Sequence, residues 1–391
     1  MRGIRIGSAF GIPIQLNWTF LLILPIFAWI IGGSVEQTTL LINQVLGGTL
    51  DAAVLTTGNT PWILGTAAAL GLFFGVLLHE FGHSLTALRY DLEIESITLW
   101  LLGGVASFKE MPEDWKQEFN IAIAGPIVSV LVGLVSYAAF VVTPDSLAEV
   151  QFVLGYLAFM NIALAVFNML PGFPMDGGRV LRALLARNQP HAKATQQAAE
   201  VGKVFAFLMG IFGLFTFQLF LILLALFIYM AASGEAQQST LKAAFQDVTV
   251  RDIMTPKEQL KTVDRRTSVS ELMNRMFQER HTGYPVLQDG ELVGMVALED
   301  ARSVRDVERD AYLVEEIMSR DITSVTPDAD AMLALRTMQE SNVGRLPVIS
   351  VNGELVGIVS RTDLMTAFNI IQSGGSASLI RRDDPSITSI R

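Results

Sequence analysis

GVLLHEFGHSLTALRY, residues Gly75 to Tyr90, decides the fold. Two of the chain's four histidines, His79 and His83, stand here four positions apart, with Glu80 beside the first. The run that holds them, PWILGTAAALGLFFGVLLHEFGHSLTAL (61–88), exceeds the roughly 20 apolar residues a helix needs to cross a bilayer. Ionisable side chains are costly at such a depth and mark function or need partners there. On a helix, positions i and i+4 share a face. Both imidazoles therefore point the same way and can share one cation, with the glutamate close to a water on it.

Composition narrows the chemistry. The chain has 391 residues, 51% of them apolar, and a net charge of −10. No Lys/Arg cluster forms a phosphate-binding face, so a nucleic-acid partner is not expected. There is no cysteine, which excludes disulfides, thiolate metal sites and cysteine nucleophiles. A catalytic zinc takes three protein ligands and keeps one position open. His191 lies in a polar loop and His281 in the hydrophilic C-terminal half. The best third candidate is Asp176, in NMLPGFPMDGGRVLRALL (168–185), where a Pro/Gly-rich turn lets a carboxylate bend back into a helix bundle.

Further apolar runs at 14–33, 121–142 and 152–171 read as spans. The run 201–232 would be about 48 Å long as one helix, so it is read as two short passes breaking near FTFQ (215–218). Basic residues alternate along the loops. Arg2 and Arg5 precede the first span; 34–60 has none; 89–119 has Arg89, Lys109 and Lys116; 143–151 has none; 172–200 has Arg179, Arg182, Arg187 and Lys193. This places the N-terminus in the cytoplasm. Six spans return the hydrophilic half to the same side. The β-branched segment IESITLWLLGGVASF (94–108) predicts a short strand or hairpin, tolerated at membrane depth only where it is shielded. It either lines the site or offers an edge to an extended substrate.

HEFGH in a span, then NMLPGFPMDGGR after a later span, resembles the site-2 protease family of intramembrane zinc metalloproteases, over residues 1–232. NIAIAGP (120–126) resembles that family's third-span motif. The resemblance implies His79, His83 and Asp176 as ligands of one Zn2+ ion and Glu80 as the catalytic glutamate. It also implies Asn168 as an asparagine assisting at the reaction centre. Asn161 is a weaker candidate, equally explained by an interhelical hydrogen bond. The implied reaction is hydrolysis of peptide bonds within or near transmembrane segments of membrane-anchored proteins. There is no recognisable PDZ insertion to size such a substrate.

After a polar linker (233–246) the chain repeats itself with a period of about 63 residues. YPVL (284–287) recurs as LPVI (346–349), and GELVGMV (290–296) as GELVGIV (353–359). Each unit, 247–308 and 309–371, reads helix, strand, strand, helix, with hairpin signals at Asp289-Gly290 and Asn352-Gly353. The pattern resembles a tandem pair of CBS domains, regulatory modules that often bind adenine nucleotides. The resemblance implies Ser360 and Asp363 as ribose contacts in the second unit. In the first, Asp300 remains but Ala297 replaces the hydroxyl. The alternative is a scaffold, or a homodimerisation module, that binds nothing. The tail 372–391 is expected to be disordered.

The fold expected is therefore a polytopic α-helical membrane domain of about six spans with a short membrane-associated β segment, followed by a soluble α/β CBS pair in the cytoplasm. The function expected is intramembrane zinc endopeptidase. The rival readings are a CBS-gated transporter or channel and a catalytically inactive membrane scaffold.

Overall fold

The computed structural model describes residues 3–100, 103–108, 112 and 114–373. It divides into two compact units, Met1–Ser239 and Thr240–Arg391.

The first unit opens on a hairpin that the apolar pattern concealed. β1 (Ile4–Ala9) and β2 (Ile12–Leu16) are antiparallel, joined by Phe10 and Gly11, which both take positive φ. The reading of 14–33 as one span is corrected accordingly, and the helix α1 runs Trp18–Gly33. Asn17 sets its start: the side chain accepts from the Thr19 N–H at 3.0 Å, the arrangement of a helix N-cap. The Asn17 N–H itself donates to the Leu99 carbonyl at 2.8 Å, tying the helix start to a strand. α2 (Val35–Leu46) follows after a 70° bend, then a single turn, α3 (Ala52–Leu55).

α4 (Thr60–Leu88) carries both histidines. Beyond it β3 (Ile94–Trp100) and β4 (Gly103–Phe108) form the hairpin predicted for 94–108. They complete a sheet of order β1-β2-β3-β4, in which β2 and β3 are parallel. α5 (Trp115–Val142) and α6 (Ala148–Asn168) follow. The segment 172–200 is not a loop as expected: it folds into α7 (Asp176–Ala186) and the first turns of α8 (His191–Phe215). The break near 215–218 is present, but the passes on either side of it are long. α8 starts at His191, and α9 runs Leu219–Ala244, so the polar stretch from Ser233 is helical.

Among the described residues, five helices are long and apolar enough to span a membrane: α4, α5, α6 with the short turn before it, α8 and α9. The bent pair α1–α2 makes a sixth if it counts as one span. α4 packs against α1, α5 and α6. Small residues permit that approach, as at interfaces between membrane helices generally. A Cβ on Gly65 would lie 2.7 Å from the Gly32 nitrogen, and one on Gly82 2.8 Å from the Ala124 carbonyl oxygen.

The second unit is the α/β repeat. Its elements are α10 (Val250–Ile253), β5 (Thr255–Pro256), β6 (Val263–Asp264), α11 (Val269–Glu279), β7 (Gly283–Gln288), β8 (Glu291–Ala297), α12 (Leu298–Arg302), α13 (Val314–Ile317), α14 (Ala331–Glu340), β9 (Arg345–Ile349), β10 (Leu355–Ser360) and α15 (Arg361–Gln372). Helix, strand, strand, helix recurs as α11-β7-β8-α12 and α14-β9-β10-α15. The first hairpin turns on Asp289 and Gly290, both at positive φ; the second uses a longer loop with Gly353 at φ 83°.

The repeats exchange their leading segments. β5 pairs with β10 of the other repeat, giving sheets β5-β10-β9 and β6-β7-β8. Val248 and Val250 pack with Leu346, Val359 and Leu364, while Val314 packs with Tyr284 and Val296. Residues 374–391, most of the expected disordered tail, lie outside the described residues.

Candidate metal centre

α4 brings His79 and His83 to one face, and both are buried. Asp176, the first residue of α7, reaches the same point from the turn after α6. Its Oδ2 lies 3.1 Å from His79 Nε2 and 3.3 Å from His83 Nε2, and the two Nε2 atoms are 3.1 Å apart. Four tetrahedral ligands at about 2.0–2.1 Å from zinc would be about 3.3 Å from one another, so this donor set fits one such ion. Two imidazoles and a carboxylate, without thiolate, also suit it chemically. Among the described residues this is the one cluster of three His, Asp or Glu side chains that could hold a metal ion.

The turn that delivers Asp176 is anchored on its far side. Arg182, one and a half turns along α7, is buried; its Nε donates to Glu118 Oε1 of α5 at 2.5 Å and its Nη1 to Glu235 Oε1 of α9 at 2.8 Å. The guanidinium also covers the Phe173 ring at 4.9 Å. His191 Nε2 stands 3.3 Å from the other Glu118 oxygen. Thus α5, α7, α8 and α9 meet at one polar knot behind the site.

A cavity of about 320 Å³ opens on the donors, lined also by Glu80, Gly104, Ala106, Asn168 and Arg179. Glu80 is half-buried beside β4, where its Oε2 accepts from the Ala106 N–H at 3.2 Å. Asn168, the last residue of α6, faces the same space. Asn161 does not line it. It is fully buried and donates to Leu157 O of its own helix at 2.9 Å.

Residues 67–150 and 144–211 match the model of Peptidase family M50, and 250–306 and 314–370 each match the CBS domain. A zinc metalloprotease of Methanocaldococcus jannaschii is 34% identical across 94% of this chain and 97% of its own. The chain belongs to peptidase family M50. This M50 peptidase is a zinc metalloendopeptidase of the membrane with a C-terminal CBS pair. Stage IV sporulation protein FB of Bacillus subtilis is 30% identical over 44% of this chain and 62% of its own. The solved site-2 protease from M. jannaschii is 34% identical, covers 60% of this chain and 95% of that one, and superposes with a TM-score of 0.41.

Several groups around this cluster in the M50 peptidase escaped the motif reading. His79 Nδ1 meets Ser129 Oγ at 2.9 Å, and His83 Nδ1 donates to the Ile121 carbonyl at 2.7 Å. Gly125 lies between them, where a Cβ would come within 2.8 Å of His79 Nε2. A Cβ on Gly104 would lie 3.0 Å from Glu80 Cδ. The i, i+4, i+8 spacing of 121, 125 and 129 was visible in the sequence, but nothing there said which helix would face it.

In the CBS pair, the residues named for nucleotide contact cap their own helices. Ser360 N–H and Oγ donate to Asp363 Oδ2 at 2.8 and 2.7 Å, and Asp300 Oδ2 accepts from the Ala297 N–H at 2.7 Å. Such a capping box accounts for a serine and an aspartate at this spacing without any ligand.

Proposed function

We propose that His79, His83 and Asp176 hold the zinc ion, and that Glu80 serves as general base and acid in hydrolysing peptide bonds within or beside transmembrane segments of membrane-anchored proteins. The observation that carries this reading is the convergence of three donor atoms, from α4 and α7, at the wall of a cavity that Glu80 shares. Zinc, when bound, supplies Lewis acidity and lowers the pKa of a water. Glu80 accepts the proton of the attacking water and delivers it to the leaving amide nitrogen. Its bond to the Ala106 N–H keeps the carboxylate against β4 while leaving the other oxygen available. The Asn168 amide donates to the oxygen that gains charge during attack.

β4 ends the sheet order, so an unwound substrate segment adds beside it as a further strand. Unwinding is required because a helical peptide bond is screened by its own hydrogen bonds. The alternation of basic residues supports an N-terminus and a CBS pair in the cytoplasm, with the bent pair α1–α2 as the sixth crossing. An adenine nucleotide at Ser360 and Asp363 would modulate access to the site, and the CBS pair would also serve as a homodimer contact. The convergence of His79, His83 and Asp176 beside Glu80 supports the peptidase reading over the transporter and scaffold readings.

The test uses the purified full-length protein. Glu80→Gln is expected to keep zinc and lose cleavage of a membrane-anchored model substrate, whereas Asp176→Asn loses zinc. Cleavage by Glu80→Gln at the parent rate would reject the general base. Calorimetry with adenosine mono-, di- and triphosphate tests the nucleotide: absence of heat in all three removes it from the account.

A further inference from the structure

We propose that Ser129 is a positioning residue for the metal site: its hydroxyl accepts the Nδ1 proton of His79 and so commits Nε2 of that ring to the cation. This rests on the reading of His79, His83 and Asp176 as zinc ligands and adds what orients them.

Both rings lean on α5. His83 Nδ1 lies 2.7 Å from the Ile121 carbonyl oxygen. A carbonyl only accepts, so Nδ1 carries the proton and Nε2 keeps its lone pair. His79 Nδ1 lies 2.9 Å from Ser129 Oγ. Ile121, Gly125 and Ser129 succeed one another at intervals of four and share a face of α5. That face thus offers each imidazole its own acceptor. Between the two acceptors a glycine leaves room for the rings to meet.

The hydroxyl is well placed to control the ring. Ser129 is 0% exposed, so water cannot replace it. The competing arrangement is also present: with the proton on Nε2, His79 would donate to Asp176 Oδ2, 3.1 Å away. That tautomer removes two donors from the metal at once. An acceptor at Nδ1 tips the ring towards the ligating form and raises its basicity, and losing such a partner typically costs about 10–100-fold in metal affinity.

The experiment measures zinc affinity of the full-length protein by competition with a chromophoric chelator, and records the visible spectrum of the Co2+-loaded protein. It compares the parent, Ser129→Ala and the equally shaped pair Ser129→Thr and Ser129→Val, with thermal unfolding of each metal-free form. Ser129→Ala is expected to bind zinc about tenfold or more weakly and to shift the Co2+ bands, with metal-free unfolding unchanged. Thr restores the affinity and Val does not. If Ser129→Ala fails to fold, the Thr–Val comparison decides the question. Equal affinities in that pair, or parent-like affinity in Ser129→Ala, overturn the role of Ser129. A His79→Ala control separates this from failure of the ligand assignment: if it binds zinc as tightly as the parent, the assignment falls and the inference falls with it.

Discussion

His79 Nε2 and Asp176 Oδ2 stand 3.1 Å apart, although 97 positions separate the two residues. The imidazole is fixed by a long helix, α4, and the carboxylate by the first turn of a short one, α7. Closure between them depends on α5, which packs against both. The consequences of that arrangement can be measured.

Gly125→Ala should empty the centre. The added methyl would sit 2.8 Å from His79 Nε2 and closer still to the His83 ring, so two buried imidazoles would have to move. Zinc per chain is expected to fall well below one while far-ultraviolet circular dichroism stays that of the parent. Full zinc occupancy would contradict the packing described here.

Gly104→Ala separates catalysis from metal binding. A Cβ there would clash with Glu80 Cγ and lie 3.0 Å from both Cδ and Oε1. Glu80 is flexible enough to move aside, so the variant should fold and keep zinc, yet turn over more slowly by about 10²-fold or more, as for a displaced general base. A parent-like rate would show that the bond to Ala106 does not set the position of Glu80.

Arg182→Ala tests the knot behind Asp176. It leaves Glu118, 3% exposed, as a buried charge without its guanidinium. Breaking a buried pair this way costs about 3–5 kcal/mol. Thermal unfolding in detergent should show a large loss, with zinc affinity falling in parallel. Lys at the same position cannot reproduce the fork to Glu118 and Glu235 or the stack on Phe173, and should recover only part. An unchanged unfolding temperature for the alanine variant would refute the knot.

The CBS pair carries its own pH signature. Burial, and then the hydrogen bond to Glu279 at 2.9 Å, push the Tyr284 phenol up to about 12 from 10.0. A raised folded pKa means stability that is fully present below about 10 and is lost as pH rises towards 12. In a spectrophotometric titration, the difference between the parent and Tyr284→Phe should therefore show one tyrosine ionising near 12. A midpoint near 10 would mean that the ring is not held as described.

Much of this architecture is legible in local patterns. The HExxH spacing, the long apolar runs, the 94–108 hairpin and the helix–strand–strand–helix repeat each follow from periodicities that a few residues express. The β1–β2 hairpin was missed because Ile12, Ile14 and Leu16 lead directly into an apolar helix; the Asn17 cap was the available signal. The extent of α8 and α9 was missed because each helix continues past its apolar run into polar residues, His191–Glu200 in α8 and Ser233–Ala244 in α9, where hydropathy carries no signal. The Ser360–Asp363 pairing was visible, but local spacing could not distinguish a helix cap from a ligand contact.

The sequence by itself determined that His79 and His83 share a face, since 3.6 residues per turn leaves no other arrangement four positions apart. It also determined that the donors would be nitrogen and oxygen, because there is no cysteine. Only the tertiary structure decided that the Asp176 carboxylate meets both imidazoles, that Ile121 and Ser129 stand at the backs of the rings, and that Arg182 joins the turn to α5 and α9. These are contacts between helices far apart along the chain, and they arise from the summed close packing of many small residues, which no local periodicity encodes.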